Sequence, residues 1–382
     1  MSQFVISRTR RAAVACLAGL TLFTSAPAFS AAAAVSPTPA QIQRLLDQVV
    51  AAGAPGAIAV VRTGGRTIRL AAGRSVLDPA APMRPGLRSR FGGVTKSYTA
   101  TVVLQLVAEH RLSLGDTVER RLPGVLPNGG AITIRQLLNH TSGVFDYVQD
   151  PRTLAPYLAG DLTRIFDPRD GLRYAAEHGP LFPPGTGLAY SNTNSLLLAM
   201  IVESVTGRSF ATELRRRLFV PLGLAGADYP DSSPIAGPHV HGYTPDAPPM
   251  DITALSPTLY GASGALVSNA EDVARFFRAL LRGQLLPARV LAQMKTIDPV
   301  ATGGTPDSGI LGGGWGLGLL RESFPCGTAW GHDSEIPGYT TAAWSSPDAD
   351  RQVVVVVNSF YDHDAPVNQA LRRLLITAMC AG

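Results

Sequence analysis

A chain of 382 residues with 46% hydrophobic and 16% charged residues is too apolar and too lightly charged to be disordered. Its 39 Gly and 30 Pro follow no fixed period, which excludes collagen and long coiled coils. The net charge of +5 is not gathered into a basic stripe suited to nucleic acid; the one basic run, Arg215-Arg216-Arg217, fits a solvated helix face.

The N-terminus reads as an export signal. Arg8, Arg10 and Arg11 precede an apolar run from Ala12 to Phe23, and small residues follow through Ala26, Ala28, Ser30 and Ala31. That order of regions is a secretory signal peptide over residues 1–30, cleaved between 28 and 34. The run is shorter than the roughly 20 apolar residues of a spanning helix, so no stable membrane anchor is expected. The leader's three arginines carry three of the five net charges. A single domain is expected over 35–382. Cys326 and Cys380 survive cleavage, and an even pair in an oxidising compartment predicts one disulfide.

Thr38-Pro39-Ala40-Gln41 is a capping box with Pro at the first helical position, predicting a helix from Pro39 to about Ala52. Ala57–Arg62 and Arg66–Ala71 read as strands of a hairpin around Thr63-Gly64-Gly65. Helical segments follow at Lys96–His110, Ile134–Asn139, Asn194–Thr206, Phe210–Phe219, Ala270–Leu281 and Ala288–Ile297. Strands return at Trp315–Leu320, Thr328–Trp330, Tyr339–Trp344 and Gln352–Asn358, and a last helix covers Val367–Met379. Val353–Val357 is an unbroken apolar run, as expected of a strand buried on both faces. The fold class is therefore α/β of the α+β type. One antiparallel sheet is built from both chain ends and flanked by the terminal helices, with a helical lobe inserted over roughly 97–300.

Three patterns carry chemistry: Phe91-Gly92-Gly93-Val94-Thr95-Lys96-Ser97-Tyr98, then Pro183-Pro184-Gly185 followed by Tyr190-Ser191-Asn192-Thr193-Asn194, then Trp330-Gly331-His332-Asp333-Ser334-Glu335. Leu137-Leu138-Asn139-His140-Thr141-Ser142-Gly143 lies between the first two. In this order and spacing the chain resembles the penicillin-recognising serine hydrolases. The resemblance is closest to secreted D-alanyl-D-alanine carboxypeptidases and class C β-lactamases, and it covers nearly all of the mature chain. It implies a β-lactamase-like domain and acyl transfer through a Ser-x-x-Lys pair on one helix face. It further implies Lys96 as general base, Tyr190 as second acid/base and Asn192 as ligand of the substrate amide. His332 would open a third motif on an edge strand, with Asp333 and Ser334 beside the substrate. The N–H of Glu335 would join that of the nucleophile as oxyanion donor. The family needs no metal or organic cofactor, and none is expected. The expected partner is a peptidoglycan stem peptide, a β-lactam or an ester.

The sequence departs from its family at the nucleophile. Gly93 stands where the Ser belongs, so no Ser ester can form there, and neither Thr95 nor Ser97 has Lys three residues later. The third motif reads His332-Asp333-Ser334 where the family has a hydroxyl residue and then Gly. Asp333 would repel a substrate carboxylate, and Leu320 occupies the place of a carboxylate-binding Arg, with Arg321 one residue on. Three readings stay open: a serine hydrolase whose Ser is absent from this version, a pseudoenzyme that binds cell-wall peptides or a protein, and direct activation of water by Lys96 or Tyr190. Lys96 is one of only two lysines, with Lys295, among 33 basic residues. Local readings compete elsewhere: Tyr190 and Asn192 also suit a helix cap, His140 a structural turn, His239-x-His241 a loop without further metal ligands, and Gly261–Ala265 a turn.

Overall fold

The computed structural model describes residues 36–302 and 313–380; the leader lies outside them. Thr38 caps helix α1 (Pro39–Ala51) by accepting the Gln41 N–H, and Ile42, Leu46 and Val49 form its buried face. The next apolar stretch makes strands β1 (Gly56–Thr63) and β2 (Arg66–Val76), joined by the two-residue turn Gly64-Gly65, where Gly64 takes a positive φ. Glycine suits that turn because its backbone must adopt a conformation that a Cβ disfavours. Short strands β3 (Ala81–Pro82) and β4 (Ser89–Arg90) follow, and β4 pairs with β5 (Val267–Ser268) from the far end of the helical region.

The last third supplies β6 (Gly313–Trp315), β7 (Leu320–Phe324), β8 (Gly327–Ile336), β9 (Tyr339–Ser345) and β10 (Arg351–Val357). Among the described residues the sheet has eight strands in the order β3-β2-β1-β10-β9-β8-β7-β6. β1 pairs with β10, so the two chain ends meet inside the sheet, and every pairing is antiparallel. Along β10, Val353, Val355 and Val357 pack on the side of α1 and the C-terminal helix Pro366–Cys380, while Val354 and Val356 pack on the helical side. The apolar run thus serves two cores, each valine side chain contributing about 1.5–3 kcal/mol of burial.

The expected strand Trp315–Leu320 is instead a corner. β6 ends at Trp315 and β7 begins at Leu320. Between them the Gly316 N–H reaches the Leu319 carbonyl at 2.8 Å, and Gly318 has φ +70°. The alternation Gly-Leu-Gly-Leu imitates a strand, but its glycines permit a tight turn that lies against the helix carrying Lys96. The Gly318 N–H bonds the Leu138 carbonyl, the Gly318 carbonyl accepts Ser97 Oγ, and a Cβ at 318 would collide with Ala100.

Helix α2 (Thr95–Ala108) starts one residue earlier than expected, after a tight helical turn Gly92–Val94. It is buried throughout its first ten residues. Helix Asn192–Thr206 starts two residues earlier than expected, with Ser191 at its cap. Asp150 and Asp167 cap two further helices, Pro151–Leu158 and Pro168–His178, each with Pro at its start. The segment Phe210–Phe219 is split into Phe210–Leu214 and a wider helical turn, Arg215–Phe219. No described helix is long and apolar enough to cross a membrane.

Cys326, at the tip of the β7–β8 hairpin, is joined to Cys380 by a disulfide across 54 residues. Reducing it, or replacing both cysteines by Ser, is expected to lower stability by roughly 4 kcal/mol from loop entropy. Urea unfolding with and without reductant measures this, and an unchanged midpoint would show that the crosslink adds nothing.

Candidate active site

The site is built where α2 begins against the outer half of β8. β7 pairs with Gly327–Gly331 of β8, while β9 pairs with Trp330–Ile336. Residues 332–336 therefore have a strand partner on one side only, among the described residues. Strand alternation turns His332 and Ser334 to the helical side and Asp333 and Glu335 to the other.

Gly92 and Gly93 approach this strand closely. Gly92 has φ +49°, and a Cβ there would collide with Ser334 Oγ. At Gly93 an added Cβ would lie 3.1 Å from His332 Cε1 and 3.3 Å from both the Asp333 carbonyl and Ser334 Oγ. A serine fits position 93 only if these neighbours give by a few tenths of an ångström. The Gly93 N–H donates to Ser334 Oγ at 2.6 Å. The nearby hydroxyls are committed elsewhere. Thr95 Oγ1 donates to the Gly92 carbonyl and accepts from the Leu266 N–H, and Ser97 Oγ donates to the Gly318 carbonyl.

At the second residue of α2, Lys96 is 4% exposed. Its Nζ donates to Asn192 Oδ1 at 2.9 Å and to the Ser263 carbonyl at 2.8 Å, and it lies 4.8 Å from the centre of the Tyr190 ring. Burial lowers its pKa to about 7, against the pull of the Asp146 carboxylate. Near neutral pH this amine is thus partly unprotonated and able to accept a proton. Tyr190 donates its hydroxyl to Asn192 Oδ1 at 3.2 Å, and Asn192 Nδ2 donates to Asp146 at 2.9 Å. The side chain of Asn192, expected to hold the substrate amide, has its oxygen taken by Lys96 and Tyr190 and so couples the two.

His332 is buried and neutral, its pKa pushed down to about 3 by burial and then by Lys96. Its Nδ1–H faces the Asp333 carbonyl, which leaves Nε2 as a buried acceptor without a hydrogen-bond partner among the described residues. Asp333, expected beside the substrate, instead turns its side chain to the rear of the sheet. There, with burial as the larger cause, it raises the pKa of Glu322 to about 8. Glu335 also turns rearward and accepts from Asn368 at 3.3 Å. Leu320 faces the rear core, while exposed Arg321 pairs with Trp330 and shares its sheet face.

Several site residues escaped the sequence reading. Asp146 is buried beside Lys96, and burial raises its pKa despite hydrogen bonds from Val148 and Asn192. No motif marks it; the signal is the general need of a buried amine for a nearby carboxylate. His140, expected as part of a turn, does have a positive φ, but its ring stacks on Tyr190 at 4.8 Å and accepts the Ser191 N–H. Trp315 lies against His140, Tyr190 and His332 at ring separations of 4.5, 5.7 and 5.6 Å. Ser263, in the Gly261–Ser263 turn, contributes its backbone carbonyl. His239 and His241 stack on each other and His241 pairs with Asp251, and no metal-binding group of His, Cys, Asp and Glu occurs among the described residues.

Comparison with known proteins follows the same outline. The family model described as Beta-lactamase matches residues 42–377. Penicillin-binding protein 4 of Amycolatopsis lactamdurans is 32% identical over 301 residues, spanning 74% of this chain and 75% of that protein. The D-stereospecific amidohydrolase from Streptomyces sp. superposes with a TM-score of 0.80 at 34% identity, covering 91% of this chain and all of that one. The D-amino acid amidase from Ochrobactrum anthropi SV3, complexed with L-phenylalanine, superposes with a TM-score of 0.79 at 25% identity, covering 88% of this chain and 96% of that one.

The depressed pKa of Lys96 makes a stability prediction. Between about 7, where the folded chain loses this proton, and 10.5, where the unfolded chain does, the unfolded state holds more protons. Stability from this group therefore rises with pH across that window, by up to roughly 1.4 kcal/mol per pH unit. Urea unfolding at about pH 7.5 and 9.5 is expected to show this rise in the native chain relative to Lys96→Met. Parallel pH profiles of the two proteins would rule out a buried, depressed lysine.

Proposed function

The chain belongs to the beta-lactamase family, and from that membership we propose an exported serine-hydrolase scaffold of the D-alanyl-D-alanine carboxypeptidase and D-amino-acid amidase kind, silenced at its nucleophile. The carrying observation is the buried Lys96 amine, with its pKa near 7 and held by Asn192 and Ser263, one helical turn from residue 93. An amine stripped of water is a poor structural element. Its usefulness lies in accepting a proton from a hydroxyl at position 93.

With a serine at position 93, the chemistry is acyl transfer. The hydroxyl attacks the substrate carbonyl while its proton passes to Lys96. Negative charge on the carbonyl oxygen is met by the N–H groups of residues 93 and 335. Tyr190, linked to Lys96 through Asn192 Oδ1, returns the proton to the leaving amine. Water then releases the acyl group by the reverse path. Amide bonds next to a D-residue are the favoured substrates, because the similar solved enzymes are named as D-stereospecific amidohydrolase and D-amino acid amidase. The rearward side chain of Asp333 removes the expected repulsion of a substrate carboxylate. Arg321 on the Trp330 face, with Lys295 5.3 Å from the Trp330 ring, favours a negatively charged end. Export is supported by the charged, apolar and small-residue order of the leader and by the Cys326–Cys380 disulfide.

A pseudoenzyme that binds such peptides without turnover is the second reading. It is favoured by Ser334 Oγ on the Gly93 N–H.

Intact-protein mass spectrometry with a penicillin tests the first reading. Gly93→Ser is expected to form an adduct at position 93 that the native chain does not form. Adding Lys96→Ala is expected to slow it by about 10²-fold or more, within the range of general-base effects. Adduct formation indifferent to Lys96→Ala would overturn the assignment.

A further inference from the structure

The third motif and the helix start both depart from the family pattern. The family pattern places a hydroxyl at position 93 and glycine at 334; this chain has Gly93 and Ser334. The structure makes the two positions one steric unit. Ser334 projects from β8 to the helical side, where its Oγ takes the space a Cβ on Gly92 would need and lies 3.3 Å from a Cβ on Gly93. Its Oγ also accepts the Gly93 N–H at 2.6 Å. That N–H is the donor that a substrate's carbonyl oxygen requires during acyl transfer.

We propose that Ser334 is a latch on the oxyanion site: its hydroxyl stands where the substrate carbonyl oxygen would be held, so the chain is silenced twice, by Gly93 and by Ser334. A buried N–H already satisfied at 2.6 Å has no capacity left for an incoming oxygen. A substrate must first displace the Ser334 side chain, and a serine introduced at position 93 must share its space with it. The inference rests on the hydrolase reading above and identifies Ser334 as a positioning residue within that site. It requires that restoring the nucleophile alone recovers little of the acylation rate.

The test is the rate of covalent labelling by a fluorescent penicillin, with the labelled residue mapped by peptide mass spectrometry, in the native chain, Gly93→Ser, Gly93→Ser/Ser334→Gly and Gly93→Ser/Ser334→Ala. The alanine variant keeps a strand-compatible side chain where glycine weakens the strand, and circular dichroism verifies folding of each protein. Removing the Ser334 hydroxyl is expected to raise the labelling rate of the Gly93→Ser protein by at least about 10-fold. The upper bound is the roughly 10²–10³-fold value of one oxyanion donor. Equal rates with Ser, Ala or Gly at 334 would overturn the latch and leave the hydrolase reading standing. Label found on Ser334 of the native chain would also overturn it, because the hydroxyl would then be a nucleophile. No label on any protein carrying Gly93→Ser would overturn the hydrolase reading and the latch with it.

Discussion

A lysine amine held out of water against a carbonyl and an amide oxygen sets the terms for the rest of the fold. Lys96 Nζ donates to the Ser263 carbonyl and to Asn192 Oδ1. Losing either acceptor would leave a buried donor unmatched, at about 1–3 kcal/mol. Each acceptor comes from a different part of the chain: α2 brings the amine, Asn192–Thr206 the amide, and the Gly261–Ser263 turn the carbonyl. The aromatic rings of His140, Tyr190 and Trp315 exclude water around them. Asp146 supplies the negative charge that acts on Lys96, and it tempers the loss of the proton without reversing it.

The sheet converts that constraint into a cleft. Because β10 buries valines on both faces, one face is free to seat the helical side while the other is closed by α1 and the C-terminal helix. β7 leaves β8 at Gly331, so the strand's outer half faces the start of α2 directly. The same corner that ends β6 is bonded to Ser97 and Leu138. The corner is therefore held to α2 by the Ser97 hydroxyl and to Leu138 by a backbone bond, neither of which involves a reactive group.

Much of this was legible in the residues. The run Val353–Val357 announced a doubly buried strand and Thr38-Pro39 a helix start, while the resemblance to a known family implied that Lys96, Tyr190, Asn192 and His332 share one site. What stayed hidden depended on direction. Nothing in the string His332-Asp333-Ser334 tells which side chains face the helix, since a one-residue change of register would invert all three. Gly316–Leu319 reads as a strand by alternation and is a corner because of its contacts with Ala100 and Leu138. Asp146 and the Ser263 carbonyl carry no motif at all; their roles exist only once distant segments are brought together.

The strand that carries His332 and Ser334 is mounted at two points. At its start, Cys326 is bonded to Cys380 at the end of the C-terminal helix; near its end, Glu335 accepts from Asn368 at the beginning of that same helix. Strand and helix thus form a beam clamped at both ends. A beam so held bends little, and any breathing that admits a ligand must be borne by the opposite wall of the cleft, whose loops have no such clamp to the rear helix among the described residues.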